Sequence, residues 1–269
     1  MTWETDLSRV DVYRAARETM PFLMVGPVTW DVFEDGSRLP GGPVSFAART
    51  AAALGARAHI LTGGAEDASL TALVGHTVHS VRGLATESWG IGNSSSGRRR
   101  LRLIEHLGRM LGPDDLVRDW PEPRNLFLAP LIPDDVDVLS FLDRFSSAAV
   151  WILGQGLQRE FDDKGFVYHP AEPTELLLDC LSPKTTLFLS SDEIASWSRE
   201  AVEEVAGRCG QFVITRGSEG LEVKMSGDTY NVGAVSAKVV DTTGAGDSCA
   251  AAYSITSAMG VVNAGQLAV

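Results

Sequence analysis

Asp-Thr-Thr-Gly-Ala-Gly-Asp, residues Asp241 to Asp247, is the stretch whose residue types and spacing are best suited to chemistry. Gly244, Ala245 and Gly246 are small enough for the main chain to approach a ligand closely, and the apolar run from Ala250 to Met259 predicts a helix that follows them. The first turn of a helix carries N–H groups without intrahelical partners and the positive end of the dipole, which together make an anion site. Asp247 would lie beside that anion. A carboxylate there is poorly suited to holding phosphate and well placed to take a proton from an attacking hydroxyl. The chemistry implied is phosphoryl transfer to an alcohol; a Gly-rich turn entering a buried helix would explain the same residues without any chemistry.

The rest of the chain sets the frame for such a site. With 269 residues, 44% apolar and 22% charged, the composition is that of a globular protein with a sizeable core. Its 23 basic and 35 acidic residues leave a formal charge of −12, which argues against nucleic acid and anionic membranes as partners. Cys180, Cys209 and Cys249 are widely spaced and without metal-ligand pattern, as expected of free thiols in a reducing compartment. The segment Met1 to Thr19 is mixed and charged rather than signal-like, and no apolar run approaches a membrane span, so a cytoplasmic location is expected. None of the five histidines falls in a metal-ligand pattern, and surface or core roles are expected for each.

Continuous apolar runs at 22–28, 58–62, 125–129, 149–153, 186–189 and 212–215 alternate with helical candidates at 44–54, 134–145 and 198–208. Strands that are apolar throughout, with helices between them, predict a doubly wound α/β fold with a mainly parallel sheet covered on both faces. Ligands of such sheets sit at the carboxyl ends of the strands, where Asp31, Thr215 and Asp247 fall. Two segments interrupt the alternation. Residues 32–39 flank Asp35-Gly36, expected as a two-residue hairpin turn, and residues 88–104 flank a Gly/Ser-rich loop, so two hairpins at about 31–40 and 86–104 are expected to form a small separate sheet. Arg98, Arg99, Arg100 and Arg102 form the densest basic cluster, either a solvated hairpin edge or an attractor for an anionic ligand. No internal repeat or linker is evident, and a single domain over 1–269 is expected.

Taken together, Asp31, the Gly41-Gly42 pair opening a helix, Thr215-Arg216-Gly217 and the 241–247 motif resemble the ribokinase-like (PfkB) family of carbohydrate and nucleoside kinases, in order and spacing over nearly the whole chain. The segment from Gly41 to Ala48, followed by Leu54-Gly55-Ala56, strengthens the likeness. The resemblance implies Asp247 as catalytic base and the amides of Gly244, Ala245, Gly246 and Asp247 as the anion hole for the transferring phosphoryl group. It implies that Asp31 grips substrate hydroxyls over the turn of Gly41 and Gly42, and that the hairpins form a minimal lid. Thr215, Gly217, Ser218, Gly220 and Ser190 would lie at ATP, Glu193 would order the water shell of Mg2+, and Asp241 and Thr243 would match monovalent-cation (K+) ligands found in some members.

Departures from the family pattern narrow the substrate. Phe46 stands where Asn is common, which removes a hydroxyl-binding amide and disfavours ribose or fructose; Phe46 could equally turn into the core. Ser190 replaces the Asn of the Asn-x-x-Glu motif, with Glu193 retained. Gln155-Gly156-Leu157-Gln158-Arg159 is similar to the Gln-Gly-x-x-Arg of a subgroup that includes plant myo-inositol kinases, although Leu153 stands where that subgroup commonly has Asp. Family members usually continue through further helices after the glycine-motif helix, so short or missing C-terminal helices and a weakened ATP site are expected. The resulting expectation is an ATP-dependent kinase for a small polyol, with cyclitols, sugars and nucleosides as acceptors in that order, acting as a monomer or homodimer. The alternative is a catalytically weak sugar- or nucleotide-binding protein on the same fold. A dehydrogenase is disfavoured, since Gly26-Pro27-Val28 supplies no Gly-x-Gly-x-x-Gly after the first strand.

Overall fold

The structure, a computed structural model, describes residues 9–18, 20–93 and 99–269. Helix α1 (Arg9–Glu18) leads into β1 (Phe22–Val25), after which the chain leaves the main layer for β2 (Thr29–Phe33) and β3 (Arg38–Gly41) and returns through α2 (Pro43–Ala53) to β4 (His59–Gly63) and β5 (Thr77–Val81). A second excursion, β6 (Glu87–Asn93) and β7 (Arg99–Glu105), precedes β8 (Asn125–Leu128), α3 (Val138–Arg144) and β9 (Ala149–Leu153). Two-residue strands β10 (Glu160–Phe161) and β11 (Val167–Tyr168), α4 (Glu175–Asp179), β12 (Thr185–Ser190), α5 (Arg199–Arg208) and β13 (Gln211–Thr215) follow. The chain then runs through β14 (Leu221–Met225), β15 (Asp228–Val232), α6 (Ala245–Thr256) and α7 (Val261–Ala268).

The main sheet has the order β15-β14-β13-β12-β9-β8-β1-β4-β5, parallel from β13 through β5, with β14 and β15 added antiparallel at one edge. The six predicted strands all lie in its parallel part. Their continuous apolar character has a direct cause, because successive residues feed opposite cores. Phe22 and Met24 of β1 join the core under α2 and α6, whereas Leu23 and Val25 join the one under α3, α4 and α5. The predicted helix 134–145 begins later than expected, at Val138. Asp137 caps it by accepting from Ser140 N–H, while Asp135 is drawn off to the Leu131 and Ile132 amides. One short helix, α7, follows α6, and Gly265 on it packs close to Val232 of β15.

The two excursions meet as a second sheet, β3-β2-β6-β7, in which β2 and β6 run parallel. The first turn differs from expectation. Phe33 N–H donates to Ser37 O (2.9 Å) and Gly36 N–H to Phe33 O (2.9 Å), closing a three-residue loop rather than a two-residue turn at Asp35-Gly36. The Asp35 carboxylate accepts from the Ser37 amide and hydroxyl, and Gly36 takes φ +81, which fits a type I turn closed by a left-handed glycine. Arg98 and the loop 94–98 lie outside the described residues. Arg100 packs its guanidinium 3.8 Å over the Phe166 ring, and Arg102 Nε donates to Lys164 O, so these two serve the lid's outer edge.

Order switches between β1 and β8, whose neighbours lie on opposite sides. The gap between their carboxyl ends is the expected ligand crevice. Gly26 closes its floor, since a Cβ there would fall 2.6 Å from Ala129 O.

Ser198 caps α5 by accepting from Ala201 N–H at 3.1 Å. Ser198→Ala should lower the unfolding free energy by about 1 kcal/mol without changing the denaturant slope, measured by urea titration.

Candidate active site

At the crevice a cleft of about 410 Å³ collects Asp31, Phe46, Trp89, Gln155, Glu193 and Asp247, which come from the small sheet, from α2, from the turns after β9 and β12, and from α6. Helix α6 is aimed at it by its cap. Gly244 takes φ +72, a left-handed value that only glycine adopts without penalty, and Ser248 N–H donates back to Gly244 O at 2.9 Å. Ala245 N–H is taken by Thr242 O (3.2 Å), whereas the amides of Gly246 and Asp247 stand in the first turn, without intrahelical acceptors, at the cleft wall. Ala245 itself is exposed and outside the lining.

Phe46 explains why glycine is required at 244 on the other side as well. A Cβ on Gly244 would sit 2.2 Å from the Phe46 ring, so the ring lies flat under the start of α6. Phe46 therefore lines the cleft instead of turning into the core. Gly42, with φ +93 and no room for a Cβ beside Pro27 O, starts α2 with Pro43 in the first turn. Gly41 lies outside the lining but behind it, and a Cβ there would strike the Asp31 carboxylate at 2.6–2.8 Å. Asp31 is thereby seated deep in the cleft, accepting from the Thr29 hydroxyl at 3.3 Å.

Asp247 faces Asp31 across the cleft and is held by Gln155, whose Nε2 donates to Oδ1 at 3.1 Å. Desolvation raises the Asp247 pKa to about 6. The Glu193 and Asp31 charges push the same way, opposed by the Arg159 charge and the Gln155 hydrogen bond. Such a carboxyl is ionised at neutral pH yet basic enough to accept a proton. The Gln155–Arg159 segment divides its labour. Gly156 fits against Pro130, Leu157 enters the core, and Gln158 bridges Glu172 O and Thr174 N–H, while Gln155 and Arg159 border the cleft from the turn after β9.

On the other side of Asp247 stand Ser190 and Glu193. Ser190 N–H donates to Glu193 Oε2 (2.7 Å) and Glu193 N–H to Ser190 Oγ (3.3 Å), a reciprocal pair that fixes the turn after β12. Thr215 is next to it in register and lines a small recess shared with Glu193, Gly246 and Asp247. Gly217 and Ser218 are exposed beyond that recess, and Gly220 is buried where a Cβ would meet Val232 O at 2.0 Å. Among the described residues no group of three or more His, Cys, Asp or Glu forms a metal cage. One cleft carboxylate, Glu193, with a phosphate-sized space before it, nonetheless suits Mg2+, which commonly keeps its waters and takes one or two carboxylates together with substrate phosphates. Thr243 borders the cleft, but the Asp241 Oδ1 that would join it at a cation accepts from the Thr243 amide and hydroxyl, both at 2.8 Å.

Trp89 and His169 are among several lining residues that no sequence motif marks. Trp89, from β6, carries no motif; it arrives only because β6 pairs with β2. His169 borders the cleft with Nδ1 buried and without a partner among the described residues, and burial lowers its pKa. His76, by contrast, ties Ala58 N–H to Ala48 O, the structural role expected of it.

The whole chain shares its fold with solved structures of ribokinase-type kinases. A pyrophosphate-dependent kinase in the ribokinase family, complexed with a pyrophosphate analogue and myo-inositol, is 20% identical, with 92% of each chain covered and a TM-score of 0.74. Adenosine kinase from Sinorhizobium meliloti is 17% identical over 93% of this chain and 91% of that one, with a TM-score of 0.71. Arabidopsis thaliana ribokinase, complexed with ribose and ATP, is 18% identical over 91% and 88%, with a TM-score of 0.65. None of the curated proteins matches the sequence. The sequence model of the pfkB family carbohydrate kinases matches residues 158–269, which hold β12, β13 and the start of α6. The chain thus shares the fold of ribokinase-type kinases, and its residues 158–269 match the sequence model of the pfkB family carbohydrate kinases.

The contact between Gly244 and Phe46 makes a direct test. Gly244→Ala should destabilise by about 2–4 kcal/mol, summing the left-handed backbone penalty and overpacking. Adding Phe46→Ala to it should recover part of this loss, leaving about 1–2 kcal/mol for the backbone, in a double-mutant cycle read by urea denaturation.

Proposed function

We propose that this chain transfers a phosphoryl group to a hydroxyl of a small polyol. In this reading Asp247 takes the hydroxyl proton, and of the 244–247 turn the amides of Gly246 and Asp247, the Ala245 amide being taken by Thr242 O, hold the charge that develops on the phosphoryl group. The observation that carries the reading is the position of Asp247. Its carboxylate lies between Asp31, suited to gripping acceptor hydroxyls, and the turn of Ser190 and Glu193, suited to the phosphate side, at the start of a helix aimed into the cleft. A vicinal diol can bind both oxygens of Asp31. Phe46, Trp89 and Leu131 offer apolar surface between the polar groups, and that combination favours a ring with C–H faces and hydroxyl edges. Cyclitols fit best, then sugars and nucleosides.

ATP is the proposed donor, with Thr215 and the turn at 217–220 beside it and Mg2+ ordered at Glu193. Pyrophosphate is a second reading, favoured by the donor named for the myo-inositol-bound structure of the same fold. A role for K+ at Asp241 and Thr243 belongs to the ATP reading. Among the described residues no helix is long and apolar enough to cross a membrane; with the charge of −12, this supports a cytoplasmic enzyme, monomeric or homodimeric, without nucleic-acid partners. The deciding experiment is a screen of cyclitols, sugars and nucleosides with Mg2+, with and without K+, following ADP release from ATP and consumption of pyrophosphate in parallel. Silence with both donors from folded protein would favour a binding protein instead.

With an active pair in hand, Asp247→Asn should lower kcat by about 10²- to 10⁴-fold at unchanged melting temperature. The wild-type kcat/KM should fall as pH drops through about 6, because the base works ionised and is protonated there. Asp31→Ala should raise the acceptor KM about 10- to 150-fold and leave donor KM alone, the loss expected for a charge-assisted hydrogen bond. An effect confined to the donor would move Asp31 to the other end of the cleft.

A further inference from the structure

The hydrogen bond that Gln155 gives Asp247 has a fixed polarity. Arg159 can only donate, and its Nη2 donates to Gln155 Oε1 at 2.9 Å, so the amide nitrogen is the end left to face Asp247. A glutamine free to flip could turn its oxygen towards the carboxylate; one with that oxygen engaged cannot. Arg159 is itself held on several sides. Nη1 donates to Leu131 O (3.1 Å), the Trp89 ring lies 5.0 Å from the guanidinium, and Glu87 and Asp135, both wholly buried, are its charged neighbours. These four groups come from two places, Glu87 and Trp89 from strand β6 and Leu131 and Asp135 from the loop after β8, while Arg159 comes from the segment after β9.

The cluster holds one guanidinium and two acids. Glu87 Oε1 accepts from Trp89 Nε1 (2.6 Å), and Asp135 Oδ2 accepts from the Leu131 and Ile132 amides (2.7 and 3.2 Å). The second oxygen of each, Glu87 Oε2 and Asp135 Oδ1, is buried with no donor among the described residues. Two acceptors of this kind call for a proton. One proton held between the two acids leaves a single negative charge against Arg159, which makes the buried cluster neutral. Burial acts in the same sense, taking Asp135 to about 7 and, with the Asp135 charge, Glu87 well above the usual carboxylate range.

We propose that Gln155 and Arg159 are positioning residues that keep Asp247 ionised and aimed, and that Glu87 and Asp135, holding one proton between them, are buried acids whose remaining charge balances that of Arg159. The lid therefore reaches the base through Glu87 and Trp89, without touching it. Naming Asp247 as the base rests on the kinase reading; the chain of hydrogen bonds does not. Groups acting on the Asp247 carboxyl are Arg159 and Gln155, which favour its ionised form, and Glu193 and Asp31, which disfavour it. His169 faces Glu193 and Arg159 nearby.

The test is carboxyl titration by 13C NMR on protein labelled at Asp and Glu, with the Asp247 and Glu87 signals assigned by their loss in Asp247→Asn and Glu87→Gln. Gln155→Met, which keeps the volume and removes the donor, should raise the Asp247 midpoint by about one pH unit at an unchanged fold. Arg159→Lys, which keeps the charge and loses the fork, should raise it less. Glu87 should still carry its proton at pH 7. A merely structural role would lower the melting temperature and leave the Asp247 midpoint in place, and that outcome overturns the proposal. It is overturned equally by a Glu87 signal titrating near 4. Should Gln155→Met not fold, an unmoved midpoint in Arg159→Lys decides against it. Where turnover is available, the acid limb of kcat/KM should move with the midpoint; absence of turnover with every acceptor would count against the kinase reading, while the titration still judges the positioning chain.

Discussion

How closely α6 can approach α2 governs the site. Both helices are lined with small residues where they meet, Ala47, Ala48 and Ala51 on one and Ala250 and Ala251 on the other, all in one buried core. Small side chains bring the helix axes near, and at the top of the contact the approach ends with the Gly244 backbone on the Phe46 ring. The start of α6 is thus placed by packing. Its anion-facing amides keep one position because the core beneath them cannot give, as close-packed interiors do not. A flexible glycine loop would have to be ordered by each ligand in turn; this one is ordered by the fold.

The second constraint is electrostatic and works against the first. Setting Asp247 in the first turn of α6 partly desolvates it and puts Asp31 and Glu193 near it, and each of these makes its ionised form less favourable. Left unopposed, such a site would hold a neutral acid at pH 7, unable to take a proton. Arg159 and Gln155 oppose the drift. The acid is poised near 6, the balance of large opposed effects and not the result of one contact.

The legible part of this architecture is the part whose physics is local. Strands buried on both faces are apolar throughout, so β1, β8, β9 and β13 stand out in the sequence with ends within a few residues; Ser198, where the expected helix 198–208 begins, caps it by the short-range rule that favours its side chain there, whereas Asp137, the cap of α3, falls inside the expected helix 134–145. Glycines 41, 42, 244 and 246 could be singled out by spacing, though the partners that require glycine at 41, 42 and 244 could not. That Gly244 answers to Phe46, nearly two hundred positions away, is a tertiary fact. The antiparallel edge β14–β15 was not anticipated because Leu221 to Val232 mixes buried and exposed residues as any edge hairpin or loop does. Trp89 and His169 reach the cleft by strand pairing and by a loop's path, for which a single sequence holds no periodic signal.

The cleft is assembled from two halves with different origins. Asp31 and Trp89 come from the small sheet and Phe46 from α2, all in the first part of the chain; Ser190, Glu193, Thr215 and Asp247 come from the carboxyl ends of β12 and β13 and from α6. The family's sequence pattern is recognisable over residues 158–269, which contain the second half and none of the first. Physical requirements explain the asymmetry. Holding a transferring phosphoryl group demands the same amides and the same carboxylate whichever alcohol attacks, so that half is bound to one geometry. The acceptor half only has to present hydroxyl-binding and apolar surface matched to a particular alcohol, and a small sheet outside the main layer can change its side chains without moving β1 or α6. Adenosine kinase and ribokinase, as named, share this fold while differing in acceptor, which is the behaviour such a division permits. The two halves meet at Arg159, which has the Trp89 ring of the small sheet 5.0 Å from its guanidinium and the buried Glu87 carboxyl as a charged neighbour, so a change of that sheet must keep this contact or replace it.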